Sequence, residues 1–314
     1  MKSLIAIRNS IEKFAKAHYR VSSYIVKLII VFAALMIIRA NTGYNTLLSN
    51  IPVIIILSVA CAFVPLRFLL FVLLAYAAIQ LFSISVGIAI VTVVILLIMY
   101  MIYFRFSKNY AFAVILLPLL FMIKIPLVLP LFLAIIASFY SIVPVIFGTI
   151  IYYMFRYVNL NATVFSDSAG AAELTKVSIF LEGTFTGKEF LYTLAVMIIV
   201  FAVTYLVKRR PTNRSNDMAV AVGTGIYIIL IIISNLIFGT ITAQKLWSIV
   251  IGAIIAAIIA EILHNVVLPL DYTRTELLQY EDDEYIYYVR AVPKATIEKE
   301  AVHINRINTR KRKN

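Results

Sequence analysis

Residues 190–207 read FLYTLAVMIIVFAVTYLV, an 18-residue stretch without a charged side chain. As a helix this stretch extends about 27 Å, close to the roughly 30 Å hydrocarbon core of a bilayer. Two comparable blocks follow, at about 218–239 and 246–268. Three consecutive segments of this length and composition predict transmembrane helices, and they determine how the rest of the chain is interpreted.

The composition supports the same conclusion. The 314-residue chain is 63% hydrophobic and 14% charged, with a mean hydropathy of +0.99. Soluble domains are about 45–50% apolar and about 25% charged, so a soluble globular protein is excluded. The net charge of +13 comes from 28 Lys and Arg against 15 Asp and Glu. Cytoplasmic loops beside anionic lipid account for such an excess, so we expect the lipid bilayer, and no nucleic acid, as a partner.

The first half of the chain has shorter apolar blocks that are interrupted by proline. A span at about 21–38 precedes blocks at 51–64, 68–83, 86–104 and 110–123, and a long apolar stretch runs from 127 to 157. A 14-residue helix reaches only about 21 Å, which is too short to cross the hydrocarbon core. The short blocks must therefore be re-entrant, paired as broken helices, or extended by flanking polar residues.

The distribution of basic residues predicts the topology. If residues 127–157 cross twice, turning near 138–141, the chain has ten spans, and 21 basic residues lie inside against six outside, with Lys27 within the first span. A single crossing would place Lys208 to Arg214 and the basic tail outside, against the positive-inside rule. The sequence thus predicts an all-α polytopic transmembrane bundle of about ten spans, or eight plus a re-entrant pair, with both termini cytoplasmic.

These segments divide the chain into five predicted regions. Apolar residues recur every three or four positions near the N-terminus, which predicts an amphipathic leader. The regions are the cytoplasmic leader 1–20, a first membrane region 21–157 with short spans, an extracellular loop 158–189, a three-span membrane region 190–268, and a cytoplasmic tail 271–314.

Charged residues inside apolar blocks are the first functional candidates, because burying a charge in the membrane is costly. Glu261 lies in the last span, with His264 and Asn265 on the same helix face. Lys27 lies at a similar depth in the first span, so an ion pair between Lys27 and Glu261 is expected. This pair either serves structure alone or belongs to a proton- or ion-coupled step. Lys124, beside Pro126, marks either a polar break facing an aqueous cavity or the outer end of a short span.

Metal, cofactor and catalytic motifs are not expected. The Glu261-x-x-His264 spacing occurs in di-iron bundles, but that chemistry needs a second such pair and further carboxylates. The chain has three His and the single Cys61, and we find no nucleotide-binding motif. We therefore expect no cofactor, no metal, no catalytic residues and no enzymatic activity.

Small residues indicate where the last spans pack. Gly252, Ala256 and Ala260 repeat at four-residue spacing, which allows close helix approach. Ser234 and Asn235, in the preceding span, are expected to satisfy neighbouring helices.

The tail has a different pattern. Strand-like runs at 276–280 and 285–292 flank the acidic turn 281–284, which predicts a β-hairpin. An isolated hairpin needs a partner surface for stability, so a cytoplasmic protein subunit is a candidate partner of residues 271–314. The candidate partner-binding residues are Tyr280, Asp282, Asp283, Tyr285, Tyr287 and Arg290.

The runs LDYTRTE (270–276) and QYEDDEYIYYVRAVPK (279–294) resemble the tail of an uncharacterised family of multi-span membrane proteins from anaerobic Gram-positive bacteria. The resemblance covers this tail and the preceding span, under a fifth of the chain. It implies a bacterial plasma membrane and brings no activity or site residues.

Two classes of function are consistent with these patterns. We expect a multi-pass membrane protein that acts as a transporter or permease-like component, because the segments are broken and polar residues lie within spans. The alternative is a non-enzymatic scaffold that recruits envelope or cytosolic partners through residues 271–314.

Overall fold

The computed structural model describes residues 18–42, 45, 47–106, 111–167, 173–210, 214–238, 243–267, 276–282 and 284–291. In these ranges the chain forms twelve α-helices, one 3-10 helix and two β-strands. The helices are α1 (Tyr19–Thr42), α2 (Ile51–Ala62), α3 (Leu66–Phe82), α4 (Val86–Phe106), α5 (Ala111–Met122), α6 (Val128–Ile136), α7 (Ile142–Leu160), α8 (Ala162–Asp167), α9 (Glu173–Phe185), α10 (Lys188–Lys208), α11 (Ser215–Phe238) and α12 (Ala243–Val267). Residues 1–17 of the predicted leader lie outside the described ranges.

Five of the described segments are long and apolar enough to cross a membrane: Ser23–Ala40, Phe139–Leu160, Lys188–Lys208, Ser215–Ile237 and Leu246–Asn265. Three further apolar helices are shorter, at Ile51–Ala62, Val86–Ile102 and Ala113–Met122. The prediction of a mainly helical protein with several helices long and apolar enough to span a membrane is confirmed, and the count of ten crossings stays a prediction.

Prolines account for the short helices in the first half. Pro52 occupies the first turn of α2, and Pro65 immediately precedes α3. Proline lacks an amide proton and disfavours helical geometry in the residue before it, so it is tolerated where a helix begins. Pro118 is the exception, because it lies inside α5.

The long apolar stretch after α5 is divided where the sequence predicts a turn. Helix α6 ends at Ile136, Ala137 is extended, and a 3-10 helix at Phe139–Ser141 leads into α7. The ammonium of Lys208, at the end of α10, donates to the carbonyls of Ala134 and Ala137 at 3.3 Å each. Lys208 thus supplies donors to a helix end whose carbonyls have no partner within the helix.

Helix α6 is the centre of the largest apolar core. Seven of its nine residues are buried, and it packs against α10, α11 and α12 as well as α5 and α7. Leu131 and Leu133 are fully buried among Val200 and Phe201 of α10 and Ala256 of α12. Residues from the predicted first and second membrane regions therefore share one core.

A smaller core joins α1, α2 and α3 through Val31, Leu35, Ile54 and Leu69. Most of the described residues in the segment predicted as an outer loop are helical, in α8 and α9. The fully buried rings of Phe165 and Phe180 attach these helices to α4 and α7.

Helix α9 also caps α4 through a carboxylate. Glu173 accepts hydrogen bonds from the Ser85 hydroxyl at 2.6 Å and the Gly87 amide at 2.9 Å. The Lys176 ammonium lies 3.6 Å from the same carboxylate. These groups hold the pKa of Glu173 below its ordinary value of 4.5, with the Ser85 hydrogen bond as the largest cause. A carboxylate at a helix N-terminus also interacts favourably with the helix dipole.

The tail forms the predicted hairpin. Strand β1 (Glu276–Glu281) pairs antiparallel with β2 (Ile286–Ala291), and Tyr280 lies opposite Tyr287. Alternation along the strands places Leu278, Tyr280, Tyr287 and Val289 on one face. The prediction of a C-terminal β-hairpin is confirmed.

The Gly252→Ala substitution should destabilise the bundle. A methyl group at Gly252 of α12 would meet the backbone carbonyl oxygen of Lys124 well inside van der Waals contact. Because backbone cannot yield as a side chain does, we expect a loss of about 1–3 kcal/mol, measured as a lower thermal midpoint in detergent. Gly225→Ala in α11 is the matched control, since nothing lies within 4 Å of its added methyl. An equal loss in both variants would contradict this packing.

The Glu173 cap should make stability dependent on pH. Because its pKa is lower in the folded protein, ionised Glu173 stabilises the α9–α4 contact above pH 4.5, and this is lost as the pH falls through the lower folded value. We therefore expect the wild type to have a higher thermal midpoint than Glu173→Gln at pH 6, and the difference to be smaller at pH 3. A difference that stays constant between these pH values would refute the role of the charge.

Candidate functional site

A cavity of about 510 Å³ lies between the last turns of α5 and α7, the first turns of α10 and α12, and the second half of α11. Small-molecule sites typically occupy about 300–1,000 Å³. Its lining is rich in charged, hydroxyl and aromatic side chains: Phe121, Met122, Lys124, Pro126, Tyr152, Tyr153, Arg156, Lys188, Glu189, Tyr192, Thr193, Tyr227, Ile231, Ser234, Ser248 and Ile249.

The break between α5 and α6 places Lys124 in this lining. The backbone of Lys124 is in the left-handed region, with φ of 65°, and the amide of Ile125 donates back to the carbonyl of Leu120 at 2.9 Å. Such a turn ends a helix, and Pro126 prevents its continuation. Irregular backbone is tolerated within a membrane bundle where it is buried or lines a cavity, which is the situation here.

One wall of the cavity is a polar and aromatic network. The Arg156 guanidinium lies 3.1 Å from the Glu189 carboxylate and 5.7 Å from the centre of the Tyr153 ring. The hydroxyls of Tyr153 and Thr193 are 2.8 Å apart and share a hydrogen bond. The network joins α7 to α10 and fixes Arg156 at the rim.

A second wall is aromatic. The rings of Phe121 and Tyr152 are stacked with centroids 4.4 Å apart, and Tyr152 meets Tyr153 edge-on at 5.3 Å. The stack offers a flat apolar surface beside the charged groups.

The charge of the lining is positive. Lys124, Arg156 and Lys188 oppose the single carboxylate of Glu189, which already pairs with Arg156. Two ammonium groups therefore remain uncompensated within the described lining. The side chains of Lys124 and Lys188 are exposed, and a cleft lined by charges of one sign attracts ions of the opposite sign.

The cavity ends on the apolar core. Below Thr193 along α10, the fully buried residues Met197, Val200 and Phe201 pack against Leu131 of α6. The lining thus reaches from one end of the bundle to about its middle.

A second polar cluster lies at the opposite ends of α11 and α12. Asp217 is in the first turn of α11, and its Oδ1 lies 3.3 Å from Nε2 of His264. Nδ1 of His264 lies 3.6 Å from Glu261 Oε2. The amide of Asn265 donates to both the side chain and the backbone carbonyl of Glu261, at 3.0 and 2.9 Å. Among the described residues, Asp217, Glu261 and His264 form a group that could hold a metal ion, since one ligand atom from each lies within 4.8 Å of the others.

The structure separates the predicted intramembrane candidates. Lys27 donates to the carbonyl of Val64 at 3.4 Å and lies 5.8 Å from the Tyr24 ring, so the predicted ion pair with Glu261 is wrong. Glu261, His264 and Asn265 do share a face, and their partner is Asp217. Lys124 lies in the cavity, where it contacts α12 at Gly252, about 14–18 Å along that helix from Glu261 and His264.

The remaining predicted residues have simpler surroundings. Gly252, Ala256 and Ala260 are buried along α12, where Gly252 faces the turn at Lys124. Tyr280, Tyr285 and Tyr287 are exposed on the hairpin, as is Asp282. Arg290 belongs to β2 by its backbone; its side chain and Asp283 lie outside the described part of the chain.

Sequence reasoning missed several residues of these sites. Asp217 follows the basic stretch 208–214 and opens a span, so it resembled a loop residue. The proximity of Asp217 to Glu261 and His264 could have been predicted from topology, because consecutive antiparallel helices place the start of α11 beside the end of α12. Ser234, expected only to satisfy neighbouring helices, lines the cavity together with Tyr227 of the same helix.

Comparison with known proteins adds no further assignment: no family model, no curated protein and no solved structure matches this chain.

Proposed function

We propose that the protein is a multi-pass membrane transport component that binds a small anion in the cavity between α5, α7, α10, α11 and α12. The observation that carries the proposal is the positive lining of this cavity, where Lys124 and Lys188 have no carboxylate partner among the described residues. Both lysines are exposed and line the cavity, and ionisable residues that line a water-filled cavity of a membrane bundle commonly mark a substrate or ion pathway.

The lining also favours a class of anion. Lys124 and Lys188 supply charge, and the hydroxyl groups of Tyr153 and Thr193 supply hydrogen-bonding groups. The stacked rings of Phe121 and Tyr152 favour a flat or apolar body. The proposed substrate is therefore a small carboxylate or phosphate compound, and its handling requires no enzymatic step and no cofactor.

The proposed topology has ten crossings in a bacterial plasma membrane, with both termini cytoplasmic. It is supported by the reversal at Ala137–Ser141 and by the excess of basic residues on one side. In this topology the cavity lies in the outer half of the bundle and the Asp217 cluster lies at the inner side. The apolar packing of Phe201 against α6 then closes the cavity toward the cytoplasm, which corresponds to an outward-facing state.

The transport proposal is tested by uptake into proteoliposomes that contain the purified full-length chain. The probes are radiolabelled phosphate, succinate and benzoate, which differ in charge and in aromatic character. We expect saturable uptake of at least one probe, reduced about tenfold or more in Lys124→Gln and Lys188→Gln, because each removes one unpaired charge from the lining.

Arg39→Gln is the matched control, since it removes a cation from α1, outside the cavity lining. It should transport as the wild type does. Uptake of none of the three probes, or equal uptake by the cavity variants and the wild type, would refute the proposal.

A second candidate function is a membrane scaffold that recruits a cytoplasmic protein through residues 271–314. The observation that favours it is the apolar face of the hairpin, where Tyr280 and Tyr287 are each about half exposed, at 56% and 47%. Exposed tyrosines are typical anchors of protein interfaces.

The scaffold is tested with a photoactivatable amino acid placed at Tyr280, Tyr287 or Tyr288 in cells. Tyr288 is the matched control, because it is exposed on the opposite face of the same strand. A scaffold predicts one discrete crosslinked protein from positions 280 and 287 and none from 288. Identical crosslinking at all three positions, or at none, would argue against it.

A further inference from the structure

The polar cluster at the inner ends of α11 and α12 has a chemistry that the transport proposal does not use. Asp217 belongs to the first turn of α11, whereas Glu261 and His264 belong to the last turns of α12. Two carboxylates and an imidazole converge there within 4.8 Å. The carboxyl groups of Asp217 and Glu261 also contact each other, His264 approaches the backbone of Ala260, and Asn265 donates to Glu261. No ion pair with a Lys or Arg is described for either carboxylate.

The imidazole of His264 is the second, independent observation. His264 is 2% exposed, and its Nδ1 has no hydrogen-bond partner although it faces Glu261. Nε2 faces the other carboxylate, that of Asp217. A neutral imidazole has one donor and one acceptor nitrogen, so one of its lone pairs points at a carboxylate oxygen. Such an arrangement is repulsive unless a proton or a metal cation lies between the two groups.

We propose that Asp217, Glu261 and His264 bind one divalent transition-metal cation between α11 and α12. A tetrahedral ion about 2.1 Å from each ligand atom requires those atoms to be about 3.4 Å apart. The 3.3 and 3.6 Å contacts involve different nitrogens of the His264 ring, only one of which binds a given ion. One ligand atom from each of the three side chains lies within 4.8 Å of the other two, so carboxylate movements of about 1–1.5 Å bring all three into range. Both carboxylate side chains are 36% exposed.

Asn265 prepares Glu261 for this role. Its amide holds Oε1 of Glu261, while Oε2 faces His264. Outer hydrogen bonds of this kind orient metal ligands. The partial exposure of Asp217 and Glu261 leaves room for water to complete the coordination.

The ligand set selects the class of ion. Imidazole nitrogen suits Zn²⁺ and other transition metals, whereas Mg²⁺ and Ca²⁺ prefer sites made of oxygen alone. The expectation of no metal from the sequence depended on the absence of a second Glu-x-x-His pair, and Asp217 from the neighbouring helix supplies the missing carboxylate. The site is distinct from the cavity, so its test is independent of transport.

The experiment measures Zn²⁺ binding to the full-length protein, purified in detergent without a polyhistidine tag, by equilibrium dialysis and elemental analysis. We expect one Zn²⁺ per chain, with affinity reduced at least about tenfold in Asp217→Asn, Glu261→Gln and His264→Gln. His303→Gln is the matched control and should bind as the wild type does. A hundredfold excess of Mg²⁺ should leave the bound Zn²⁺ in place.

Asp217→His distinguishes a ligand from a structural residue. It retains a metal-binding side chain, so it should retain Zn²⁺ binding where Asp217→Asn loses it. Added Zn²⁺ should also raise the thermal midpoint of the wild type and of His303→Gln, but not that of His264→Gln. Equal binding by the wild type and His264→Gln, or displacement of Zn²⁺ by Mg²⁺, would overturn the proposal.

Discussion

The structure depends on one constraint: where a helix is interrupted inside an apolar bundle, the polar backbone groups at the interruption need hydrogen-bonding or polar surroundings. Helix α6 has only nine residues and lies at the centre of the core, so both of its ends expose polar groups within the protein. At one end Lys208 donates to the carbonyls of Ala134 and Ala137. At the other end, the turn at Lys124 lines a polar cavity. The cavity therefore provides the polar surroundings that the irregular backbone between α5 and α6 requires.

Much of the architecture follows from the sequence because the relevant signals are local. Apolar blocks bounded by proline or charge form helices close to the predicted limits. The turn near residues 138–141 lies where the distribution of basic residues predicts it. The alternating residues on either side of the acidic turn form the hairpin. These features depend on chain length, proline geometry and side-chain periodicity, all of which are visible in a single sequence.

The sites are less predictable because they depend on which helices are neighbours. Helices that are apolar on every side do not reveal which face is buried against protein and which against lipid. The pairing of Lys27 with Glu261 was inferred from equal depth alone, and it failed because α1 packs on α2 and α3 while α12 packs on α6 and α11. Asp217 and the Arg156–Glu189 pair lie at helix ends, where charges are common and carry little information until tertiary contacts are known.

The two polar sites are mechanically linked through α11 and α12. Each of these helices contributes to the cavity at one end, through Ser234 and Ser248, and to the Asp217 cluster at the other. Close approaches hold α6 against the pair, since Gly223 leaves no room for a side chain beside Thr204 and Leu131. In the proposed transport cycle, an opening toward the cytoplasm therefore has to separate α6 from α11 and α12, or move all three together. A cation that ties Asp217 to Glu261 and His264 would favour movement of α11 and α12 as one unit, because it joins their inner ends.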